Sequence, residues 1–282
     1  MLKLWQAILG VFAGYVGGQV AGVFAVLFGC VAMLVAGAAF DPGGAMGALA
    51  RLQADPFGSA WVFVPMLLAI GVVQTQLACM VPALAGVPIR RALGLERAPR
   101  AALLLAPVGA LALGPTSDFL ASKFLELLPN FTIGNLEMIG NLAKAGPFPV
   151  MFVLMAVMPG VSEELLFRGV LQRSIRIAPL AIVTSALVFA CAHFDPPHVV
   201  GVLPMGAYLA WVAHRTDSTW PTIVAHVANN GVAIAATRIS ALDVGQGTDT
   251  PMPIWWVPVG LVVCVCCVVA IARLTPARDR AL

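Results

Sequence analysis

Two neighbouring glutamates, Glu163 and Glu164, and an arginine, Arg168, stand at the end of a long apolar stretch of the sequence. A charged side chain near the centre of a bilayer costs roughly 2.5–3.5 kcal/mol even on the insertion scale that gives the lowest values. Because Arg168 follows Glu164 by four positions, the two share one face of a helix and can pair. Glu163 points about 100° away from that face, so it is available for another partner.

Two later apolar stretches carry polar residues of a second kind. His193 lies near the end of the first, and His226 and Asn230 lie in the next but one. Four positions separate His226 from Asn230, so both lie on one face of a helix. Polar faces inside a membrane turn towards each other because hydrocarbon offers them no hydrogen bonds. We therefore expect three helices to bring these residues together with Glu163.

Such a set of side chains suits the hydrolysis of an acyl bond by water. A carboxylate and a histidine can share a water molecule and activate it as general bases. A histidine and an asparagine side by side can donate hydrogen bonds to a developing oxyanion. The pair of Glu164 with Arg168 would hold its helix in register.

Each of these residues also has a purely structural interpretation. An intramembrane histidine often does no more than join two helices by a hydrogen bond, and a Glu–Arg pair one turn apart can be structural. Asn229, beside Asn230, is expected only to cap or pack. His198 and His214 are expected in solvated loops. The convergence of the remaining residues in one half of the chain favours the catalytic interpretation.

The composition indicates a polytopic membrane protein built from helices. Of the 282 residues, 60% are hydrophobic and 10% are charged, whereas soluble domains carry about 25% charged residues. The sequence has no basic face with interleaved aromatic residues, so nucleic acid is not an expected partner. The six cysteines lie inside apolar stretches and are expected to be packing residues rather than disulfide or zinc ligands.

About eight stretches are long and apolar enough to be transmembrane helices around a membrane-embedded polar cavity. We interpret the first, after Lys3, as a retained span and not a signal peptide, because it continues to Phe40. The predicted spans are residues 5–39, 59–86, 101–126, 147–172, 178–194, 199–213, 220–239 and 253–272. Between the third and fourth, residues 127–146 are predicted to be an interfacial helix or a loop, with a plain connector favoured over a substrate gate.

The distribution of basic residues predicts the topology of these spans. If both termini are cytoplasmic, every basic segment lies inside, as the positive-inside rule requires. These segments are residues 90–100, 173–176, 214–215 and 273–280. The acidic segment Ala241–Thr250 then lies outside. We divide the single membrane domain into residues 1–146, with helices 1–3 and the connecting segment, and a catalytic core of residues 147–282, with helices 4–8.

The polar residues form three ordered motifs that resemble those of a known family. The motifs are Glu163-Glu164-x-x-x-Arg168, Phe189-x-x-x-His193 and His226-x-x-x-Asn230. They resemble the signature of the CPBP family, the CAAX protease and bacteriocin-processing intramembrane endopeptidases, also called Abi proteins or type II CAAX prenyl endopeptidases. The resemblance covers about residues 147–240, and each motif lies on a separate apolar helix.

The resemblance implies hydrolysis of a peptide bond inside the membrane. It implies that Glu163 and His193 activate water and that His226 and Asn230 stabilise the oxyanion. It also implies supporting roles for the residues of the predicted pair, Glu164 and Arg168. The expected partners are the bilayer and a membrane-associated protein or peptide, with a lipidated substrate among the options.

Glutamic-type catalysis without a cofactor is the expectation from these residues. Zinc held by Glu163, His193 and His226 is the less favoured alternative, because asparagine is a poor zinc ligand and no His-Glu-x-x-His is present. A serine mechanism at Ser162 is disfavoured because the Gly-x-Ser-Gly of rhomboid-type proteases is absent. The remaining alternative is a protein without activity, either an Abi-type immunity or scaffold protein or a transporter.

Overall fold

A computed structural model describes residues 2–40, 43–55, 59–131, 134–239 and 253–275 of the chain. The regular structure in these ranges is entirely helical. The helices are α1 (Leu4–Phe40), α2 (Gly44–Ala54), α3 (Ala60–Leu84), α4 (Ile89–Ala92), α5 (Arg100–Ala112), α6 (Gly114–Leu127), α7 (Gly134–Ala145), α8 (Phe148–Gln172), α9 (Ala178–Cys191), α10 (Pro196–Thr216), α11 (Trp220–Ala236) and α12 (Trp256–Leu274).

Within the described ranges, five helical stretches are long and apolar enough to cross a membrane: α1, α3, α5 together with α6, α8 and α12. They coincide with five of the predicted spans, and the chain is an integral membrane protein. The other three predicted spans are helical as well, as α9, α10 and α11. Helix α9 has 14 residues and α11 has 17, so the predicted number of eight spans stays a prediction.

Two histidines do not lie where the sequence analysis expects them. His198 belongs to the first turn of α10, and His214 belongs to its last turn. Both are half-buried and neither is in a solvated loop, so that expectation is wrong. The reason is that α10 begins at Pro196, since proline without an N–H donor fits the first turn of a helix.

The segment before α8 is a helix, α7, rather than a loop. Its last turns are buried at Leu142 and Ala143, against Phe63 of α3 and Met151 of α8. The helical alternative is therefore confirmed, and a position at the membrane interface stays a prediction. The acidic segment Ala241–Thr250, whose side of the membrane the sequence analysis predicts, lies outside the described residues.

Helix α8 has two stretches of π-helical hydrogen bonding, Val153–Val157 and Leu165–Gln172. They flank the α-helical turns Met158–Glu164. Each π stretch widens the helix locally and changes the face on which the next side chains lie, and such stretches are frequent at functional sites. The two glutamates therefore stand between two irregular parts of one continuous helix.

The remaining helices pack around α8. Helix α1 packs along α3, α3 and α11 both contact the central turns of α8, and α5 lies between α11 and α12. Helices α9 and α10 form a hairpin whose connection is the short segment 192–195. All six cysteines are free, so the fold depends on helix packing and internal polar contacts.

Three of the basic segments meet at one end of the bundle. Thr219 at the start of α11 donates a hydrogen bond from its hydroxyl to the carbonyl of Leu93, at 2.5 Å. Arg173 forms an ion pair with Asp217, with 2.6 Å between Nη1 and Oδ1. These contacts place the segments at 90–100, 173–176 and 214–217 on the same side of the protein.

Candidate active site

Helix α8 presents its two glutamates to different surroundings. The Glu164 side chain is 0% exposed, and its Oε1 accepts a hydrogen bond from Arg168 Nη1 at 2.7 Å. The Glu163 side chain is 21% exposed. Arg168 also donates from Nη2 to the carbonyl of Gly206 in α10, at 3.1 Å. The ion pair thus forms at the spacing that the sequence predicts, and Glu163 is left as the more accessible carboxylate.

His226 of α11 lies beside both carboxylates. Its Nδ1 is 3.0 Å from Glu164 Oε1, and its Nε2 is 4.0 Å from Glu163 Oε2. Since an ionised carboxylate can only accept hydrogen bonds, Nδ1 is the donor to Glu164. The ring is therefore fixed with Nε2 turned towards the accessible carboxylate.

Gly160 permits this close approach of α11 to α8. A Cβ at Gly160 would lie 2.6 Å from Val227 Cγ2 and 3.1 Å from the Val227 backbone nitrogen. Val227 is the residue after His226, and Gly160 is three residues before Glu163. A side chain at position 160 would consequently push the histidine away from the glutamates.

His193 lies just beyond the end of α9, and its orientation is set by its own helix. Its Nδ1 is 3.0 Å from the carbonyl oxygen of Phe189 and 3.3 Å from that of Ala190. Because carbonyl oxygens only accept, Nδ1 carries a proton, and in the neutral ring Nε2 is then a hydrogen-bond acceptor. An acceptor nitrogen is what a general base needs.

The fully buried ring of Phe189 joins the histidines of two helices. Its centroid lies 5.2 Å from that of His193 and 5.7 Å from that of His226, with both rings nearly perpendicular to it. The Arg168 guanidinium carbon lies 4.3 Å from the same centroid. Edge-to-face ring contacts and a cation over a ring face are both favourable, so Phe189 holds the three motifs together.

Asn230 lies one turn beyond His226 on α11, against an earlier part of α8. Its Nδ2 donates to the carbonyl of Met155 at 3.4 Å, and its Oδ1 accepts from Asn229 Nδ2 at 3.4 Å. Met155 belongs to the first π-helical stretch. An amide nitrogen has two hydrogens, so the contact with Met155 uses one donor of Asn230.

The comparison with protein families gives a match over this part of the chain. Residues 145–232 match the family model described as type II CAAX prenyl endopeptidase Rce1-like. This segment is similar to Rce1-like domains over those residues. The match confirms the resemblance predicted from the three motifs, and it supports peptidase activity because the family is one of proteases. No curated protein and no solved structure matches the chain.

The Rce1-like segment has polar neighbours that the sequence analysis does not place in the site. The His198 ring lies 4.4 Å from the His193 ring, centroid to centroid. Asp195 is buried in the connection between them. Burial raises the pKa of the Asp195 carboxyl, and the nearby His193 acts in the opposite direction. His193 and His198 are five positions apart with two prolines between them, and this spacing does not predict a contact between the two rings.

Ser162, the residue considered for a serine mechanism, is fully buried. Its hydroxyl donates to Gln74 Oε1 of α3 at 2.9 Å. Gln74 is itself buried. The Ser162 hydroxyl therefore joins α8 to α3. Because it is fully buried, it is not accessible to a substrate as a nucleophile would have to be.

Zinc held by Glu163, His193 and His226 is the less favoured alternative from the sequence, and their positions can be compared with it. Among the described residues, no group of three or more His, Cys, Asp and Glu side chains lies close enough to hold a metal ion. The candidate zinc ligands Glu163, His193 and His226 therefore form no such group, and the Nδ1 of His226 is directed to Glu164. No step below is assigned to a metal.

Proposed function

We propose that the protein is an intramembrane endopeptidase that hydrolyses a peptide bond of a membrane-associated protein or peptide. The observation that carries the proposal is the contrast between the two adjacent glutamates. Glu164 is fully buried and neutralised by Arg168, whereas Glu163 is partly exposed beside His226. A carboxylate that water can reach, held next to a buried ion pair, is suited to proton transfer.

Water is the nucleophile in the proposed reaction. Glu163 accepts a proton from the water molecule while the water oxygen forms a bond to the carbonyl carbon of the substrate. His193 accepts a hydrogen bond from the same water through Nε2, the ring nitrogen that its helix leaves without a proton. The carbonyl π bond breaks as the new bond forms, which leaves a tetrahedral oxyanion.

The oxyanion is stabilised by His226 and Asn230. Donation from His226 Nε2 requires a proton on that nitrogen as well as on Nδ1, so the ring acts as an imidazolium. The Glu163 carboxylate lies 4.0 Å from that nitrogen. The second hydrogen of the Asn230 amide is the other donor, and preorganised donors of this kind are a large term in catalysis.

The tetrahedral intermediate then releases the amine product. The bond between the carbonyl carbon and the peptide nitrogen breaks, and the nitrogen takes the proton that Glu163 had accepted from water. The products are a carboxylic acid and an amine, and the site returns to its starting protonation state. Glu164 and Arg168 take no part in these transfers, and they hold α8 in place for Glu163 and His226.

The substrate class follows from the site's position and the family description. Glu163 is carried by α8, one of the helices apolar and long enough to span a membrane, so the scissile bond has to come to a membrane-embedded site. The matched family is described as type II CAAX prenyl endopeptidase Rce1-like. A lipidated chain end is therefore the first substrate to test.

The test uses purified protein in lipid nanodiscs and an internally quenched farnesylated peptide that ends in a CAAX sequence. We expect cleavage by the wild type and by Glu126→Gln, a matched control at an exposed glutamate on α6. Glu163→Gln should give no cleavage while staying folded. The unfarnesylated peptide measures the contribution of the lipid.

A complementary experiment needs no choice of peptide. Protein termini in the membranes of cells that express the wild type are compared with those in cells that express Glu163→Gln. A terminus that depends on Glu163 identifies a substrate. Identical termini in both cells, or undiminished cleavage by folded Glu163→Gln, would refute the proposal and favour the scaffold or transporter alternative.

A further inference from the structure

Tyr15 of α1 contacts the residues on both sides of His193. Its hydroxyl donates a hydrogen bond to the carbonyl of Ala192. Its ring packs against Phe194, with 5.9 Å between the ring centroids. A residue of the N-terminal helix thus holds the chain immediately before and immediately after the histidine.

The segment that Tyr15 contacts is the C-terminal end of α9, where the hydrogen bonds join residues three positions apart. The backbone nitrogen of His193 donates to the Ala190 carbonyl at 3.1 Å, and that of Phe194 donates to the Cys191 carbonyl at 3.2 Å. Phe194 has φ of 52°, a left-handed conformation that a bulky residue seldom adopts. Its side chain is 77% exposed, so the ring of Tyr15 is an important part of what restrains it.

Helix α1 also lies close to the helix that carries the glutamates. A Cβ at Gly14, the residue before Tyr15, would lie 2.7 Å from Leu166 Cδ2 of α8. Leu166 follows Glu163 by three positions, so the contact with α1 lies close to that glutamate along α8. Tyr15 therefore stands where α8, with Glu163, meets the end of α9, with His193.

We infer that Tyr15 is a positioning residue for His193 and that α1 is part of the active site. The Nδ1 contacts of His193 are with carbonyls of its own last helical turn, so the ring keeps its orientation only while that turn is held. Tyr15 fixes the turn at Ala192 and Phe194. This inference rests on the proposed function, in which His193 orients the attacking water.

The first test compares the chain's two tyrosines. Tyr208 also donates its hydroxyl to a carbonyl of another helix, at Leu105 with a distance of 3.4 Å, and its ring lies against Gly109 of α5. We expect Tyr15→Phe to lower kcat for the farnesylated peptide by about tenfold with KM unchanged, since one positioning hydrogen bond is lost. Tyr208→Phe should leave kcat unchanged.

The second test does not depend on activity. The chain has four histidines, so ¹⁵N-histidine labelling gives a spectrum of four rings, and a His193→Gln variant assigns one of them. In the wild type we expect His193 to hold a single tautomer with the proton on Nδ1. In Tyr15→Phe its two ring nitrogens should move towards exchange-averaged shifts, whereas Tyr208→Phe should leave them in place.

The outcomes separate the two proposals. A tautomer change in Tyr15→Phe, with no cleavage of the peptide by the wild type and no terminus in cells that depends on Glu163, would support the positioning role and refute the peptidase. Equal spectra and equal kcat for Tyr15→Phe and the wild type would overturn the inference. If Tyr15→Phe does not fold, Phe194→Leu serves instead, because it removes the ring contact and keeps the hydroxyl bond.

Discussion

The Nδ1 atom of His226 lies 3.0 Å from Oε1 of Glu164. The same carboxylate oxygen is 2.7 Å from Arg168 Nη1. One buried oxygen of α8 therefore contacts both Arg168 and His226 of α11. Because this contact uses Nδ1, it directs Nε2 to Glu163. Glu164 therefore sets the orientation of the His226 ring relative to Glu163.

The catalytic pair gives the first prediction. Glu163→Gln and His193→Ala should each abolish cleavage, and Asn230→Ala should leave a trace, since losing one oxyanion donor costs on the order of 10²–10³ in rate. Cleavage rates are measured with the farnesylated peptide at equal amounts of folded protein. A His214→Ala variant, at the far end of α10, is the matched histidine control and should cleave normally.

The buried ion pair gives the second prediction, which concerns stability. Glu164→Gln leaves the Arg168 charge without its partner, and breaking a buried pair in this way costs about 3–5 kcal/mol. We expect a clear fall in the midpoint of thermal unfolding in detergent, and a smaller fall for Glu163→Gln. The double variant Glu164→Gln/Arg168→Met should recover part of the loss, because no unpaired charge then remains.

Equal thermal midpoints for Glu164→Gln and the wild type would contradict this assignment. They would mean that water or lipid reaches the Arg168 side chain, which is fully buried here. The double variant then serves as the check, since it would show no recovery. Cleavage by the double variant is expected to be low in either case, because a neutral amide oxygen at position 164 is a weaker acceptor for His226 Nδ1 than the carboxylate.

Gly160 gives the third prediction. Gly160→Val should lower cleavage strongly, because the new side chain meets the Val227 backbone and separates His226 from the glutamates. Gly140→Val on α7, where a Cβ would meet no atom within 4 Å, is the control. Equal cleavage by Gly160→Val and the wild type would contradict the close approach of α8 to α11.

Much of the fold is predictable from the pattern of the residues. The eight apolar stretches all become helices, and the spacing of Glu164 and Arg168 predicts their pairing because residues four apart share a helix face. The order of the three motifs also predicts which helices contribute to the site. These features depend on local spacing and on the energetic cost of leaving polar groups without hydrogen bonds in hydrocarbon.

Other features depend on contacts between distant parts of the chain. Tyr15 is one aromatic residue in a long apolar helix, where it is indistinguishable from a packing residue until α9 is placed beside it. No residue type in the sequence indicates the π-helical stretches on either side of Glu163. His198 follows two prolines that suggest a turn, yet those prolines begin α10.

The topology gives the fourth prediction, with both termini cytoplasmic. The basic segments that include Arg97, Arg173 and Arg215 meet at one end of the described bundle. Thr219 donates to the Leu93 carbonyl, and Arg173 pairs with Asp217. The positive-inside rule assigns that end to the cytoplasm. Reporter fusions at Arg97 and Gly247 should give opposite signals, and equal signals would refute the eight-span topology.

Catalysis without a metal is the fifth prediction. The described residues offer no group of three metal-binding side chains, and His226 uses Nδ1 for Glu164 while its Nε2 faces Glu163. A catalytic zinc usually takes three protein ligands and a water. Elemental analysis of active protein should therefore find no stoichiometric metal, and exhaustive chelation should leave the cleavage rate unchanged. A rate that falls on chelation and returns with zinc alone would contradict the prediction and would make Glu163, His193 and His226 the ligands to test.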